Sequence, residues 1–262
     1  MDIDIFPNTL EYWGPNGMVF FRNVQVRWMP IQGDTRLTVA LERPGASADA
    51  GSYSGRVELA DVAPRFPFPD LSAEYRVGRP WGYVELSGIV RRMEWEDLGT
   101  DSIDVGGEAT GWGIHLSSNL KPTKNDVLRL SVVHGEGVQN YMNDAPADVG
   151  VEISSSGGID GEAIPVTGIV AFLDHTWNAK YSSSIGYSQV DIDNTNGQSP
   201  SAFKKGQYFL ANLLYTPVPK VMMGVEGGWI HRDNFSDGFS EDDAHVQVSF
   251  KYSFDTSIGG GE

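Results

Sequence analysis

Apolar and polar residues alternate with a period of two along nearly the whole chain, and helical periodicity is hard to find. In HVQVSFKYSF, Val246, Val248, Phe250, Tyr252 and Phe254 share one face, while His245, Gln247, Ser249, Lys251 and Ser253 share the other. Val84, Leu86, Gly88 and Val90 oppose Tyr83, Glu85, Ser87 and Arg91; Phe209, Ala211, Leu213 and Tyr215 oppose Tyr208, Leu210, Asn212 and Leu214. Eleven such segments are predicted as strands, at about 18–29, 35–43, 70–78, 81–93, 108–120, 126–135, 165–176, 179–190, 207–216, 219–232 and 243–254. The segments at 18–29 and 165–176 alternate poorly.

Segment length and connection length narrow the fold class. Most segments run to about 9–13 residues, where an ordinary strand has five or six and a tilted membrane-crossing strand needs about 9–11. Brief turns around QGD, GRP, KPTKND, WNAK and TPVPK alternate without exception with long connections at 44–69, 94–107, 136–164, 191–206 and 233–242. A sheet running up and down between a short-turn face and a long-loop face produces this asymmetry. The expectation is an all-β, transmembrane, antiparallel up-and-down β-barrel occupying residues 1–254, with a disordered glycine-rich tail at 255–262.

Charge divides the same way. The formal net charge is −16, yet seventeen of the 35 acidic residues fall in three base-free stretches, 94–108, 136–162 and 233–243. The short turns instead carry Arg79, Lys121, Lys124, Lys180 and Lys220. So acidic a chain is a poor nucleic-acid binder. It has no cysteine, hence no disulfide or thiol chemistry, and no run of 18 apolar residues that would make a transmembrane helix. Thirty-one Gly beside 12 Phe, 10 Tyr and 7 Trp suit turn-rich β-structure.

Alternation alone does not say which face is wet. In a soluble β-protein, such as a carbohydrate-binding sandwich, the polar face looks outward; in a membrane barrel the apolar face does. Long segments, aromatic residues near segment ends (Trp112, Tyr215, Trp229, Tyr252, Phe254) and a glycine-rich polar face favour the barrel.

Several stretches then resemble a known family. EYWGPNGMVFFRNVQVRW, RPWGYVELSGIVRRMEW, GWGIHLSSNLKPTKNDVLRLSVVHGEGVQNYMND and YFLANLLYTPVPKVMMGVEGGWIHRDNFSDG, followed by HVQVSFKYSF, resemble the DcaP-like porins of Gram-negative outer membranes, over about residues 6–254. The final strand ending in Phe254 resembles the C-terminal signal of outer-membrane insertion. The resemblance implies localisation in the cell outer membrane, beside lipopolysaccharide, and a sixteen-stranded barrel. It also implies homotrimeric assembly and passage of small anionic solutes, dicarboxylates in particular. Family members carry a signal peptide, a helical region and further strands ahead of EYWGPNG. Counting strand directions back from the end also calls for an odd number of additional strands, so Met1 is expected to be an internal methionine or a truncation point.

Facing assigns Arg27, Arg36, Arg76, Arg91, Arg129, Arg232 and Lys251 to the wet interior, interleaved with Glu74, Glu85 and Glu226. Fixed guanidinium groups in a narrow low-dielectric pore raise the local anion concentration, and their fork suits carboxylates. The competing reading is that Arg and Glu pair to brace the wall. Arg91 and Arg129 lead as the solute path; Arg92 faces the other way, near the outer interface. Segment 1–17, with Gly14, Pro15 and Gly17, either folds inward to narrow the channel or is a surface loop. No cofactor is expected, although the acidic loops invite bridging Ca²⁺ or Mg²⁺. Enzyme signatures such as G-x-S-x-G and H-E-x-x-H are missing, leaving His231 beside Asp233 as the one arrangement an outer-membrane enzyme would recruit.

Overall fold

A computed structural model describes residues 5–10, 14–100 and 102–254; the expected tail at 255–262 and parts of segment 1–17 lie outside the described residues. The strands run β1 (Gln25–Ile31), β2 (Thr35–Glu42), β3 (Ala48–Asp49), β4 (Val62–Arg65), β5 (Asp70–Arg79), β6 (Gly82–Asp97), β7 (Gly107–Leu120) and β8 (Asp126–Glu136). They continue as β9 (Val149–Ile153), β10 (Ile159–Ala163), β11 (Pro165–Thr176), β12 (Tyr181–Ile192), β13 (Phe203–Val218), β14 (Val221–Asn234) and β15 (Ser240–Tyr252).

Eleven of these form one antiparallel meander in the order β1-β2-β5-β6-β7-β8-β11-β12-β13-β14-β15, matching the eleven segments expected. β4 extends the sheet on the long-loop end of β6, and β10-β9-β3 make a small separate sheet among the loops. Turn chemistry helps fix the hairpins. Gly33 and Gly82 take φ of 114° and 121° at the QGD and GRP turns, a region open to glycine at little steric cost.

Three boundaries differ from expectation. Residues 18–24 are not part of the first strand: Val19 instead bridges to Met142 and Phe20 N–H donates to Tyr141 O, so residues 18–20 are drawn inward while Phe21 and Val24 stay exposed, which explains the poor alternation. β6 and β13 each reach 16 residues because their hairpins rise beyond the expected ends. The long connections at 44–69 and 136–164 hold β3, β4, β9 and β10, strands too short to show a period.

Register shows which face is which. Val26, Leu41, Leu71, Val90 and Trp112 form one cross-strand row, and Leu86, Leu116, Val132 and Ile169 another. These rows are uncovered: Val246 and Val248 on β15 are 77% and 78% exposed, and Leu86, Ile114, Leu116, Phe209 and Val225 are exposed as well. The opposite face is buried although polar, with Glu74, Ser87, His115, Ser131, Asn212 and Glu226 all enclosed. Leaving one such apolar side chain fully in water forgoes about 1.5–3 kcal/mol. A sheet-wide band of them would exhaust the ~5–15 kcal/mol that typically holds a domain together. The band is therefore a hydrocarbon-facing surface, and the sandwich alternative fails because no sheet covers it among the described residues. Tyr181 stacks on Tyr215 at 4.7 Å near the short turns, beside exposed Trp177, as at a membrane interface.

The inward face is filled by two segments. Residues 5–10 and 14–20 place Ile5 and Met18 against Val170, Phe172 and Leu210. The connection after β8 places Val138, Tyr141, Met142 and Ala147 against Ile89, Val133, Val166 and Val190. Both press on Gly168 of β11, where an added Cβ would lie 2.3 Å from Gly17 O and 2.9 Å from the Met142 terminal methyl.

Two outcomes are expected. Leu116→Arg, on the exposed face between Leu86 and Val132, destabilises the protein by about 2–4 kcal/mol in urea unfolding from phospholipid vesicles if the substituted position lies near the bilayer midplane. An unchanged midpoint would contradict the assignment of faces. Gly168→Val displaces residues 14–20 from the wall and makes them cleavable by protease from the aqueous side; continued protection would contradict the inward placement.

Candidate functional site

The polar face borders two cavities, one at each end of the packed segments. The cavity at the short-turn end has a volume of about 700 Å³ and is lined by four bases, Arg76, Arg79, Lys121 and Arg129, with Asp34 as its single acid. Adjacent strands place them: Arg36 on β2 pairs in register with Arg76 on β5, and Arg76 with Glu85 on β6, so three charged side chains share one level of the wall.

Carboxylates hold these cations from behind. Arg36 Nε donates to Glu74 Oε1 at 2.6 Å and its Nη2 lies 3.4 Å from Glu85. Arg76 lies 3.9 Å from Glu85 and stacks at 3.5 Å over the Tyr83 ring. Arg129 Nε donates to Asp174 Oδ2 at 2.6 Å. The guanidinium side chains are 20–30% exposed, whereas those of Glu74 and Asp174 are 11% and 12% exposed and that of Glu85 is fully buried. Bracing and an open cationic surface thus coexist at Arg76 and Arg129: an acid lies behind each fork, and the cavity meets its outer side. Arg79, Lys121 and Tyr83 were not singled out for the lining; basic turns flanking β5–β8 were the available signal.

The other expected residues divide. Arg232 lines the second cavity, about 560 Å³ at the long-loop end, with Asn16, Asp144 and Tyr208, and sits 5.5 Å over the Phe203 ring. Arg27 and Lys251 are exposed on the sheet's edge strands, where Arg27 is in register with Ala40 and Lys251 with Met222. Glu226 is buried and accepts hydrogen bonds from Leu10 N–H (2.8 Å), Asn212 Nδ2 (2.9 Å) and Gln247 Nε2 (2.6 Å), so it anchors the lumenal segment rather than facing an open cavity. Arg91 points inward as its position requires, but it is fully enclosed by loops, because Asp70 and Asp148 draw it into a buried network. Arg92 faces outward and pairs with Glu94 and Glu108.

Residues 5–10 and 14–20 take the inward course. Asn8 N–H donates to Asp174 Oδ1 (3.1 Å), Asn212 Nδ2 to Asn8 O (2.9 Å), and Gly17 N–H to Asn143 O (3.0 Å). The inward connection 137–148 was not anticipated, although Val138, Tyr141 and Met142 are unusually apolar for a solvated acidic loop. Burial pushes the Asp148 carboxyl above its usual range, opposed by Arg91 and by the N–H groups of Asn140 and Ser47. Burial alone raises Asp144.

Catalytic geometry is poor. The His231 ring has Asp233 at 3.1 Å from Nε2 and Asp242 at 2.9 Å from Nδ1, so both nitrogens are occupied by carboxylates. Among the described residues, no three His, Cys, Asp or Glu side chains converge as a metal site.

The crystal structure of the outer membrane channel DcaP of Acinetobacter baumannii is similar in fold, with a TM-score of 0.75 at 22% identity, covering 95% of this chain and 67% of that one. A crystal structure of the NanC porin aligns at a TM-score of 0.35 and 10% identity, over 74% of this chain and 97% of that one, too remote to carry an argument. No curated protein sequence is significantly similar. The model of the DcaP outer membrane proteins matches residues 1–254, nearly the whole chain. With its apolar face outward and its polar face enclosed, the chain belongs to the DcaP outer membrane protein family and resides in the outer membrane.

Proposed function

We propose that this outer-membrane protein is a porin through which small anionic solutes, dicarboxylates among them, diffuse passively. The observation that carries the reading is the cavity at the short-turn end, whose lining holds Arg76, Arg79, Lys121 and Arg129 against Asp34 alone. Glu85 and Asp174 stand behind Arg76 and Arg129, so it is the cationic faces turned toward the cavity, with Arg79 and Lys121, that raise the local concentration of anions within a low-dielectric wall. Arg76 and Arg129 present guanidinium forks, held by Glu85 and Asp174, to this cavity, and such forks suit carboxylate solutes. Homotrimeric assembly belongs to the same reading, with neighbouring copies covering part of the exposed apolar band. At the acidic outer rim, Ca²⁺ or Mg²⁺ would bridge carboxylates to lipopolysaccharide phosphates.

Planar-bilayer recording under a salt gradient tests the proposal. The reversal potential should show anion selectivity, and Arg76→Gln with Arg129→Gln should move it toward zero. Vesicle swelling in succinate should slow in the same variant while swelling in an uncharged sugar stays unchanged. Cation selectivity in the unaltered protein would overturn the reading.

A further inference from the structure

Arg91 has a task the solute path does not need. Its side chain is fully buried on β6, where the connection 137–148 crosses the lumen. Nη1 donates to Gly137 O at 2.9 Å and to Asp148 Oδ1 at 3.1 Å, Nη2 donates to Gly45 O, and Nε lies 3.3 Å from Asp70 Oδ2. Its guanidinium sits 5.2 Å from the centre of the Tyr141 ring, whose hydroxyl donates to Asp70 Oδ2 at 2.8 Å. Asp148 extends the network by accepting from Ser47 N–H (2.9 Å) and Asn140 N–H (3.0 Å). One guanidinium therefore joins the barrel wall at Asp70, the turn at 44–47 and both ends of the connection 137–148.

We propose that Arg91 is a latch that sets the aperture of the pore, a positioning residue that holds the connection 137–148 and the turn at 44–47 across the lumen. This rests on the porin reading above. A planar fork with five N–H donors serves several acceptors in fixed directions, which an ammonium on a flexible stem does not reproduce. Removing it leaves Asp70 and Asp148 buried without their cation, and uncompensated buried charge is strongly unfavourable. The wall residue cannot leave the sheet, but the loop residue can reach water by carrying the loop outward. The latch thus converts one buried ion pair into a choice between a narrowed and a widened channel.

The chain contains no cysteine, so a reversible staple isolates this effect. A Cβ at Gly113 on the wall would lie 3.3 Å from a γ-carbon of Val138 on the loop, close enough for an engineered disulfide. Single-channel conductance is compared for the unaltered protein, Arg91→Met, and Arg91→Met carrying Gly113→Cys and Val138→Cys. The latch predicts a rise of about twofold or more for Arg91→Met, as expected where a constriction limits passage. It also predicts return to the original conductance when the stapled variant is oxidised, and a renewed rise on reduction. Asp148→Asn, which removes the loop's carboxylate while keeping its shape, should raise conductance in the same direction even if Arg91→Met folds poorly. Unchanged conductance with diminished anion selectivity in Arg91→Met would overturn the latch and place Arg91 on the solute. An unaltered protein that forms no channel would overturn the porin reading and the latch with it.

Discussion

The structure depends on a backbone that must satisfy its own hydrogen bonds where one side of the sheet has no water. In hydrocarbon an unpaired N–H or C=O costs several kcal/mol, and each of the nine strands between β1 and β15 in the meander is laddered on both sides. An up-and-down meander does this by pairing strands that follow one another along the sheet, and it produces the observed order from β1 to β15. The two faces then follow from the period of the strand: one row of Val, Leu, Ile and Phe outward, one row of Ser, Asn, Glu and Arg inward. Inverting the usual burial pattern is the consequence of the medium.

An interior built from polar side chains raises a second problem, because buried charge must be paired. The chain meets it by pairing across strands, as in Arg36 with Glu74 and Arg129 with Asp174. It also folds its own connections inward, so that Glu226 finds the Leu10 N–H and Asp148 finds Arg91. Where pairing is complete the lumen is filled. Where guanidinium groups keep one side toward open volume, at the short-turn end, a cavity with a basic lining remains. Charged side chains of the same types are thereby enclosed at one place, as Arg91 is, and open to a cavity at another, as Arg76 and Arg129 are.

Much of this is legible in the sequence because it is one-dimensional. Period-two alternation placed the 165–176 strand at the bounds of β11 despite its weak pattern, and strand lengths beyond the globular norm identified the medium. Facing put Arg129 and Arg36 on the wet side by counting alone. Position in the third dimension is another matter. Arg91 and Arg129 look alike along their strands, and only the path of the 44–47 and 137–148 connections makes one enclosed and leaves the other facing a cavity. Residues 18–24 read as strand because Val19, Phe20 and Phe21 are apolar, yet they pack against Tyr141 and Met142, partners more than a hundred residues away.

The most direct test is to learn which environment each face of the sheet touches. A single cysteine placed at Leu213, on the exposed row of β13, and another at Arg129, inward on β8, would each carry an environment-sensitive fluorophore in the lipid-embedded protein. The label at 213 should be quenched by spin-labelled lipid and ignored by an aqueous quencher, with the reverse at 129. Aqueous quenching at 213 together with lipid quenching at 129 would contradict the inverted barrel wall, and the pore with it.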